Sequence, residues 1–492
     1  MNLIDKFLQV VALNPAAPAC LFNGQVVSRE MLHQRVCRIA IELHGKGIVP
    51  GAVVGISMDH SPTHLAALLA LARLGAVSLP VHPSSPPAAQ KRLMERYGAT
   101  RLLCEKTPAP LSGVELIALD KMAPDAGPAR KLDFIDYWPE PSTPARIGLT
   151  SGTTGLPGSI LYTHAYWLGR IDAYMSIDHC DEQSRLMPSD MHLTLGNYSA
   201  LRALFAGGVV VFHALQDFQS FVSAINLNAV THVTMPPAMI RTLAAQLPHE
   251  GIAFPTIRLL RIVGAGMTAQ LVELVTRKIT PNAYINYGMS EIGPISFATP
   301  EMLLAHPDYA GRVRPGVELQ VVDPQGQVLP PGESGEFRVR VSGMVQGYHQ
   351  NAERTALQFV DGWFMTRDAG FITADGLVKI EGRMDDKINL GGVKFYPERV
   401  ENVLNAHPEV KDSAVFVIDG PNQNKVLMAV VVPKHPPPFA QRLVDYCQEK
   451  NLGKMAPQRF VLVREIPRNP TGKIMRSALV GLIARKPEER LH

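Results

Sequence analysis

Apolar residues recur at helical spacing over residues 28–43, a short unbroken apolar run at 53–58 reads as a buried strand, and a second helical pattern covers 62–74. The run at 76–81 is strand-like again. The same order repeats further along: strands at 101–104 and 208–212, a helix at 218–225, strands at 230–235 and 259–263, then a helix at 269–277. Such alternation predicts parallel sheets covered by helices, an α/β class. From about residue 313 the texture changes to short alternating strands with turn signals, at 317–322, 323–326 and 335–341, which predict a smaller, more antiparallel β unit. After Gly382, segments at 400–405, 410–418, 426–433 and 439–450 predict a small α+β unit of βαβ character with a proline-rich loop at 433–438. The main boundary is placed there. Residues 1–382 form a large N-terminal domain of two βα-layered subdomains plus the small β unit, and residues 383–492 form a C-terminal domain of a size able to fold alone.

Composition narrows the class without changing that picture. The chain has 492 residues, 46% hydrophobic and 19% charged, which describes an ordinary globular protein of several compact units. Lys+Arg 48 against Asp+Glu 44 leaves a net charge of +4, far short of the basic stripe of a nucleic-acid binder. Gly 39 and Pro 40 are too few for low complexity and predict many turns. The five cysteines, Cys20, Cys37, Cys104, Cys180 and Cys447, are odd in number, widely spread and lack metal-ligand spacing, which fits a reducing cytoplasm. The apolar run at 7–13 lacks a basic flank and reads as a first helix, not a leader. The apolar stretch 65–81 is broken by Arg73, Gly75 and Pro80, so no membrane span is expected.

The densest chemical signal is Thr150-Ser151-Gly152-Thr153-Thr154-Gly155-Leu156-Pro157-Gly158-Ser159, followed by a strand at 160–162. Hydroxyls and glycines at this density can close N–H and O–H donors around phosphate oxygens. The spacing is not that of a Walker A loop, because no lysine follows the second glycine. A plain Ser/Thr/Gly turn explains the composition equally well. A second loop, Gly264-Ala265-Gly266-Met267-Thr268-Ala269, follows a strand, opens a helix and matches G-x-G-x-x-G/A, so an NAD-dependent oxidoreductase is an alternative resting on that match alone. A third Gly-rich turn is Tyr287-Gly288-Met289-Ser290-Glu291.

With these loops in hand, the sequence resembles the acyl-adenylate-forming (ANL) superfamily of acyl- and aryl-CoA ligases, nonribosomal adenylation domains and luciferases. The resemblance covers essentially the whole chain. It rests on residues 74–83, on the loop Thr150 to Gly158, on Asn286-Tyr287-Gly288-Met289-Ser290-Glu291, on Gly335-Glu336-Phe337 with Gly347-Tyr348, and on Trp363-Phe364-Met365-Thr366-Arg367-Asp368. It continues with Gly382-Arg383-Met384-Asp385-Asp386, Gly391-Gly392 and Asn469-Pro470-Thr471-Gly472-Lys473-Ile474-Met475-Arg476.

The resemblance implies a reaction and a site. A carboxylic acid and ATP with Mg²⁺ would give acyl-AMP and pyrophosphate, after which the mobile C-terminal domain rotates and a thiol captures the acyl group. Thr150, Ser151, Gly152, Thr153, Thr154 and Gly155 would cradle the phosphates. Gly264, Ala265 and Gly266 would lie against adenine, and Asn286, Tyr287, Gly288, Met289 and Ser290 would continue the nucleotide site, with Tyr287 stacking on the base. Glu291 would hold Mg²⁺, since a hard cation prefers carboxylate oxygen. Asp368 would accept from the ribose hydroxyls, with Arg383 a second contact. Lys473 would stabilise the charge that develops when a carboxylate attacks the α-phosphate. Asp385 would be the hinge, and Gly391 and Gly392 would line the thiol tunnel. Three departures stand out: Gly158 replaces a usual loop lysine, Ser290 replaces a Thr, and Arg367 stands where Gly is commoner. Without its loop lysine the chain could also be a silent nucleotide-binding member.

For the acid, the stretch 191–198 places Thr194 or Leu195 where amino-acid-activating members carry Asp, so an α-amino acid is disfavoured. The Leu195-Gly196-Asn197 run with His192 nearby is similar to benzoate-type ligases, which points to an aryl acid, with a short or medium aliphatic acid second, bordered by His192, Gly196, Asn197, Pro237, Gly264 and Gly288. Only 19 residues follow Lys473, so the thiol is expected on a separate molecule, CoA or a stand-alone acyl carrier protein.

Overall fold

The computed structural model describes residues 1–105, 111–119, 136–150, 158–213, 218–247, 251–390, 393–419, 425–434, 440–468 and 473–484. The chain enters through the helix Leu3–Leu13, earlier than the apolar run alone predicts, because Asn2 and Asp5 form a reciprocal cap. The Asn2 side chain accepts from Ile4 and Asp5 N–H groups, and the Asp5 carboxylate accepts from the Asn2 N–H.

Two large sheets carry the N-terminal part. In the six-stranded sheet, Glu115–Ala118, Arg101–Cys104, Val53–Ser57, Val77–Pro80 and Pro144–Leu149 run parallel, and Ser159–Thr163 closes one edge antiparallel to Pro144–Leu149. In the nine-stranded sheet, the strands from Pro18–Phe22 through Val209–Phe212, Arg185–Met187, His232–Met235 and Leu259–Ile262 to Ala283–Met289 are parallel. Its edges, Gln25–Ser28 on one side and Gly293–Ala298 with Arg312–Val313 on the other, are antiparallel. The α/β expectation therefore holds for the sheet centres, while the edges are antiparallel. Helix Pro62–Arg73 is buried along its whole length, as its almost unbroken apolar sequence requires. Its one charge, Arg73, donates to the Tyr137 carbonyl and lies 4.3 Å over the Trp138 ring.

One element departs from the sequence pattern. The helix expected over 269–277 is α-helical only at Ala269–Leu274 and continues as a π-helical turn, Val275–Ile279. The unit after residue 313 is a five-stranded antiparallel sheet built on Val317–Val322, Gly335–Val341 and Trp363–Ile372, with Val378–Arg383 paired on the last.

Beyond it, Val410–Asp419 and Lys425–Pro433 pair antiparallel, and Arg459–Leu462 runs parallel to the latter. Alternating side chains split this small sheet into two apolar faces. Val415, Leu427, Ala429 and Val431 pack with Val400, Leu404 and Leu443 of the helices Pro397–Asn405 and Ala440–Glu449. Ala414, Phe416, Met428 and Val430 pack with Leu479 of helix Arg476–Ala484. No helix among the described residues is long and apolar enough to cross a membrane.

Candidate active site

The Ser/Thr/Gly loop joins the two antiparallel edge strands of the six-stranded sheet. Leu149 pairs with Ser159, and the Thr150 N–H donates to the Gly158 carbonyl at 2.8 Å, which closes the base of the loop. Ser151, Gly152, Thr153, Thr154 and Gly155 lie outside the described residues. Thr150 is buried, and its Oγ1 finds no partner among the described residues. Burying a hydroxyl without a partner is unfavourable, so this atom is poised for an acceptor or donor from a ligand.

Gly158 faces a cation. A Cβ on Gly158 would meet Arg354 Nη1 at 2.4 Å and Thr150 Oγ1 at 2.7 Å. Arg354 stands on the helix Ala352–Gln358, whose N-cap Asn351 accepts from the Arg354 N–H at 2.9 Å. Its guanidinium lies 4.1 Å over the Tyr348 ring and donates through Nε to Gln358 Oε1. The Tyr348 hydroxyl is in turn 2.7 Å from Glu291 Oε1. Burial, reinforced by Glu291, raises the Tyr348 phenol above its ordinary value, so it stays protonated and donates to the carboxylate.

The turn that carries Glu291 is gripped by its backbone. Tyr162 donates to the Ser290 carbonyl at 3.0 Å, Tyr166 to the Glu291 carbonyl at 3.1 Å, and Arg170 to the Ser290 carbonyl at 2.8 Å. Gly288 is required where it stands, because a Cβ there would meet the Gly293 carbonyl oxygen at 2.4 Å. The neighbouring Ser290 and Met289 backbone carbonyls are thereby turned inward to Arg170. Asn286 commits its amide to the sheet: Nδ2 donates to the Ser296 carbonyl at 3.0 Å and Oδ1 accepts from Tyr174.

Tyr287, Asp368 and Arg383 form a second group. The Tyr287 hydroxyl donates to Asp368 Oδ2 at 2.8 Å, and Arg383 donates to Oδ1 at 2.9 Å. Each carboxylate oxygen keeps a further lone pair for a hydroxyl donor. Gly264, Ala265 and Gly266 form an exposed ledge after the strand Leu259–Ile262, with Gly264 at φ +92°. Arg367 has φ +61°, a left-handed conformation that accounts for glycine being commoner at this position. What the arginine adds is a bridge: its guanidinium contacts Glu336 at 3.3 Å and Asp385 at 2.7 Å.

On the acid side, His192 is not alone. Asp190 lies 2.9 Å from His192 Nδ1, 3.3 Å from His60 Nε2 and 3.2 Å from His82 Nε2, and the His64 ring packs edge-on against His192. Burial pushes the Asp190 carboxyl upward, but hydrogen bonds from His192 and His60 outweigh it and hold it far below the usual carboxylate range. Burial likewise lowers His192 despite Asp190. Gly196 belongs to the base of this arrangement, since a Cβ there would meet the Asp190 carbonyl oxygen at 2.1 Å. Asn197 is buried with Nδ2 unpartnered among the described residues, and Pro237 opens the helix Pro237–Gln246.

Lys473 is exposed, beside a two-residue bridge between Arg468 and Ile474. That loop is anchored by Arg468, which contacts both oxygens of Asp412, and by Arg476, which meets Asp386, Glu398 and Glu401. Gly391 and Gly392 lie outside the described residues. Sequence reasoning missed Arg354, His60, His82 and Asp190. The histidines at 60, 64 and 82 are a local signal for His60 and His82, and nothing in the sequence marks Arg354 or Asp190.

The chain matches the family model of the AMP-binding enzyme over residues 7–349 and that of the AMP-binding enzyme C-terminal domain over residues 399–473. It is 29% identical over 492 residues to the fatty acid–[acyl-carrier-protein] ligase ScoC of Streptomyces coeruleorubidus, covering 94% of this chain and 93% of that protein. It is 28% identical over 513 residues to the indoleacetate–CoA ligase of Aromatoleum aromaticum, covering 99% of each. Its fold superposes on the O-succinylbenzoate coenzyme A synthetase of Bacillus subtilis in complex with ATP and magnesium ion, with a TM-score of 0.87 at 24% identity, over 96% of this chain and 99% of that one.

Proposed function

The chain belongs to the AMP-binding enzyme family, and from that premise we propose that it is an AMP-forming acid–thiol ligase acting on an aryl carboxylic acid. The observation that carries the reading is the constellation of Thr150, Gly158, Arg354, Tyr348 and Glu291. It combines a buried hydroxyl with no partner among the described residues, a glycine that admits a guanidinium, and a rigidly held carboxylate.

ATP binds with its ribose on Asp368, whose position is fixed by Tyr287 and Arg383. Its phosphates face Thr150 and the loop that follows, and Arg354 supplies the cation that the loop lacks. The donor chemistry of Glu291 fits Mg²⁺, which when bound offsets the charge of the phosphates. The acid's carboxylate oxygen attacks the α-phosphorus, the bond to the β-phosphate oxygen breaks, and pyrophosphate leaves. Lys473 lies on the C-terminal unit and neutralises the crowding of two anions in that step. The thiol sulfur then attacks the acyl carbon and AMP departs, while Asp385 serves as the pivot for the C-terminal unit.

An aryl acid is favoured over an α-amino acid by the surroundings of Asp190. Its oxygens face His60, His82 and His192, which leaves no carboxylate on that segment to pair with a substrate ammonium. The acceptor is CoA. An acyl carrier protein is the second reading, favoured by the similarity to the ScoC ligase. A cytoplasmic location suits either acceptor. The test is AMP release from ATP with an aryl-acid panel and either CoA or a phosphopantetheinylated carrier protein. AMP that needs both acid and one thiol identifies the acceptor; AMP formed without any thiol requirement contradicts the second half of the scheme.

A further inference from the structure

We propose that His60, Asp190 and His192 form a binding site for a borderline transition-metal dication, Zn²⁺ being the probe, distinct from any Mg²⁺ that accompanies the nucleotide. Each residue offers one ligand atom, and these atoms lie within 4.8 Å of one another. Asp190 Oδ1 is 2.9 Å from His192 Nδ1 and 3.3 Å from His60 Nε2, close to the edge lengths of a tetrahedral first coordination sphere. His82 Nε2 sits 3.2 Å from the other carboxylate oxygen, where it orients the carboxylate as an outer partner does in metal sites. Two imidazoles and one carboxylate suit zinc, cobalt or nickel and not magnesium, which prefers an oxygen-only shell.

One further observation points the same way. The backbone is built to hold the turn close: Gly196 lets the helix Thr194–Phe205 press against the Ser189 and Asp190 carbonyls, at distances no Cβ would permit. His60 and Asp190 retain 28% and 22% side-chain exposure, which leaves an entry route for an ion.

The placement gives the ion a role. His60 and His82 follow the strands Val53–Ser57 and Val77–Pro80 of the six-stranded sheet, whereas Asp190 and His192 follow Arg185–Met187 of the nine-stranded sheet. A bound dication would tie the two sheets together beside the segment expected to border the acid. In the metal-free state imidazole N–H groups donate to Asp190; on binding, the dication takes the lone pair of each ligating nitrogen and the displaced proton moves to the other nitrogen of the same ring, so the neutral imidazoles keep their protons.

The test is calorimetric titration of the metal-free, full-length protein with Zn²⁺, without nucleotide and with Mg²⁺ in large excess, followed by Co²⁺ spectroscopy. One Zn²⁺ per chain is expected, with affinity lowered on the order of a hundredfold by Asp190→Asn and by His60→Gln, and roughly tenfold by His82→Gln. The Co²⁺ protein should show the intense visible bands of a four-coordinate N/O site. Far-UV circular dichroism checks that the variants fold, and His60→Gln, at a partly exposed position, keeps the test valid if Asp190→Asn does not. Equal Zn²⁺ affinity in wild type and His60→Gln, or displacement of Zn²⁺ by Mg²⁺, would overturn the proposal.

Discussion

At Gly158 the lack of a side chain is what admits Arg354, so the cation that the loop lacks in sequence returns from a helix almost 200 residues away. A charge-assisted contact of this kind is worth about 1.5–3 kcal/mol. Arg354→Gln should therefore raise the KM for ATP and for pyrophosphate by roughly tenfold or more, measured by initial rates. Gly158→Lys alone should impair the enzyme, because its Cβ collides with Arg354 and with Thr150 Oγ1, and in the Arg354→Gln background, where the first collision is relieved, it should restore pyrophosphate handling in part. Additive losses in the double variant would argue against the substitution of one cation by the other. A second residue-scale consequence concerns His164, whose Nδ1 accepts from the Leu3 N–H at 3.2 Å and so needs a neutral ring. Burial, opposed by Asp5, lowers its pKa from 6.5 to about 4. The unfolded chain takes up this proton as pH falls through 6.5 while the fold refuses it until about 4, so its contribution to stability is whole above 6.5 and is lost on acidification. By pH 4 the loss is up to about 3 kcal/mol. Thermal melts between pH 7 and 4.5 should fall for the wild type and fall less steeply for His164→Gln. The residues legible in the sequence were those carried by contiguous motifs, such as Glu291, Asp368 and Arg383. Arg354, Tyr348's grip on Glu291, and the histidines around Asp190 were not, since each is assembled from segments far apart along the chain and only the fold brings them within hydrogen-bond reach.

Among the elements, helices His164–Asp178 and Thr194–Phe205 are joined to the strand Leu259–Ile262 by one buried carboxylate. Asp178 sits between Arg202 and Arg261, all three fully buried, and Arg261 also donates to the Tyr198 hydroxyl at 3.1 Å. Asp178→Asn would leave two buried guanidinium groups without a counterion and should destabilise the protein by about 3–5 kcal/mol, read from urea unfolding. A change below 1 kcal/mol would mean the two arginines find other partners. In the small antiparallel unit, the strand Trp363–Ile372 carries Arg367, whose bridge to Asp385 holds the short helical turn Met384–Asp386. An exposed pair is worth at most about 1 kcal/mol. Arg367→Gly relaxes the left-handed backbone and frees Asp385, so it should leave overall stability nearly unchanged and shift the ratio of thioester formation to adenylation, by up to roughly fivefold. An unchanged ratio would show that this contact does not bias the pivot. Hydrophobic periodicity gave away the parallel sheet centres, but not the antiparallel edges. Nor did it reveal the π-helical turn at Val275–Ile279, because neither hydrogen-bond direction nor a one-residue widening of a helix leaves a distinct apolar period.

For the whole molecule, two large sheets and a small antiparallel unit carry Thr150, Glu291 and Asp368, and a separate three-stranded unit carries Lys473. The C-terminal unit packs near the helix Pro237–Gln246: Arg241, lowered by burial, feels both Asp412 and Arg468. The Asp412–Arg468 pair stands beside the bridge between Arg468 and Ile474 that adjoins Lys473. The most direct test is carboxylate-dependent ATP–pyrophosphate exchange over a panel of aryl, aliphatic and amino acids, run with the wild type and Lys473→Ala. The account predicts exchange stimulated by an aryl acid and reduced on the order of 10²–10³-fold in the variant; binding of ATP without exchange for any acid, or exchange indifferent to Lys473, would contradict it.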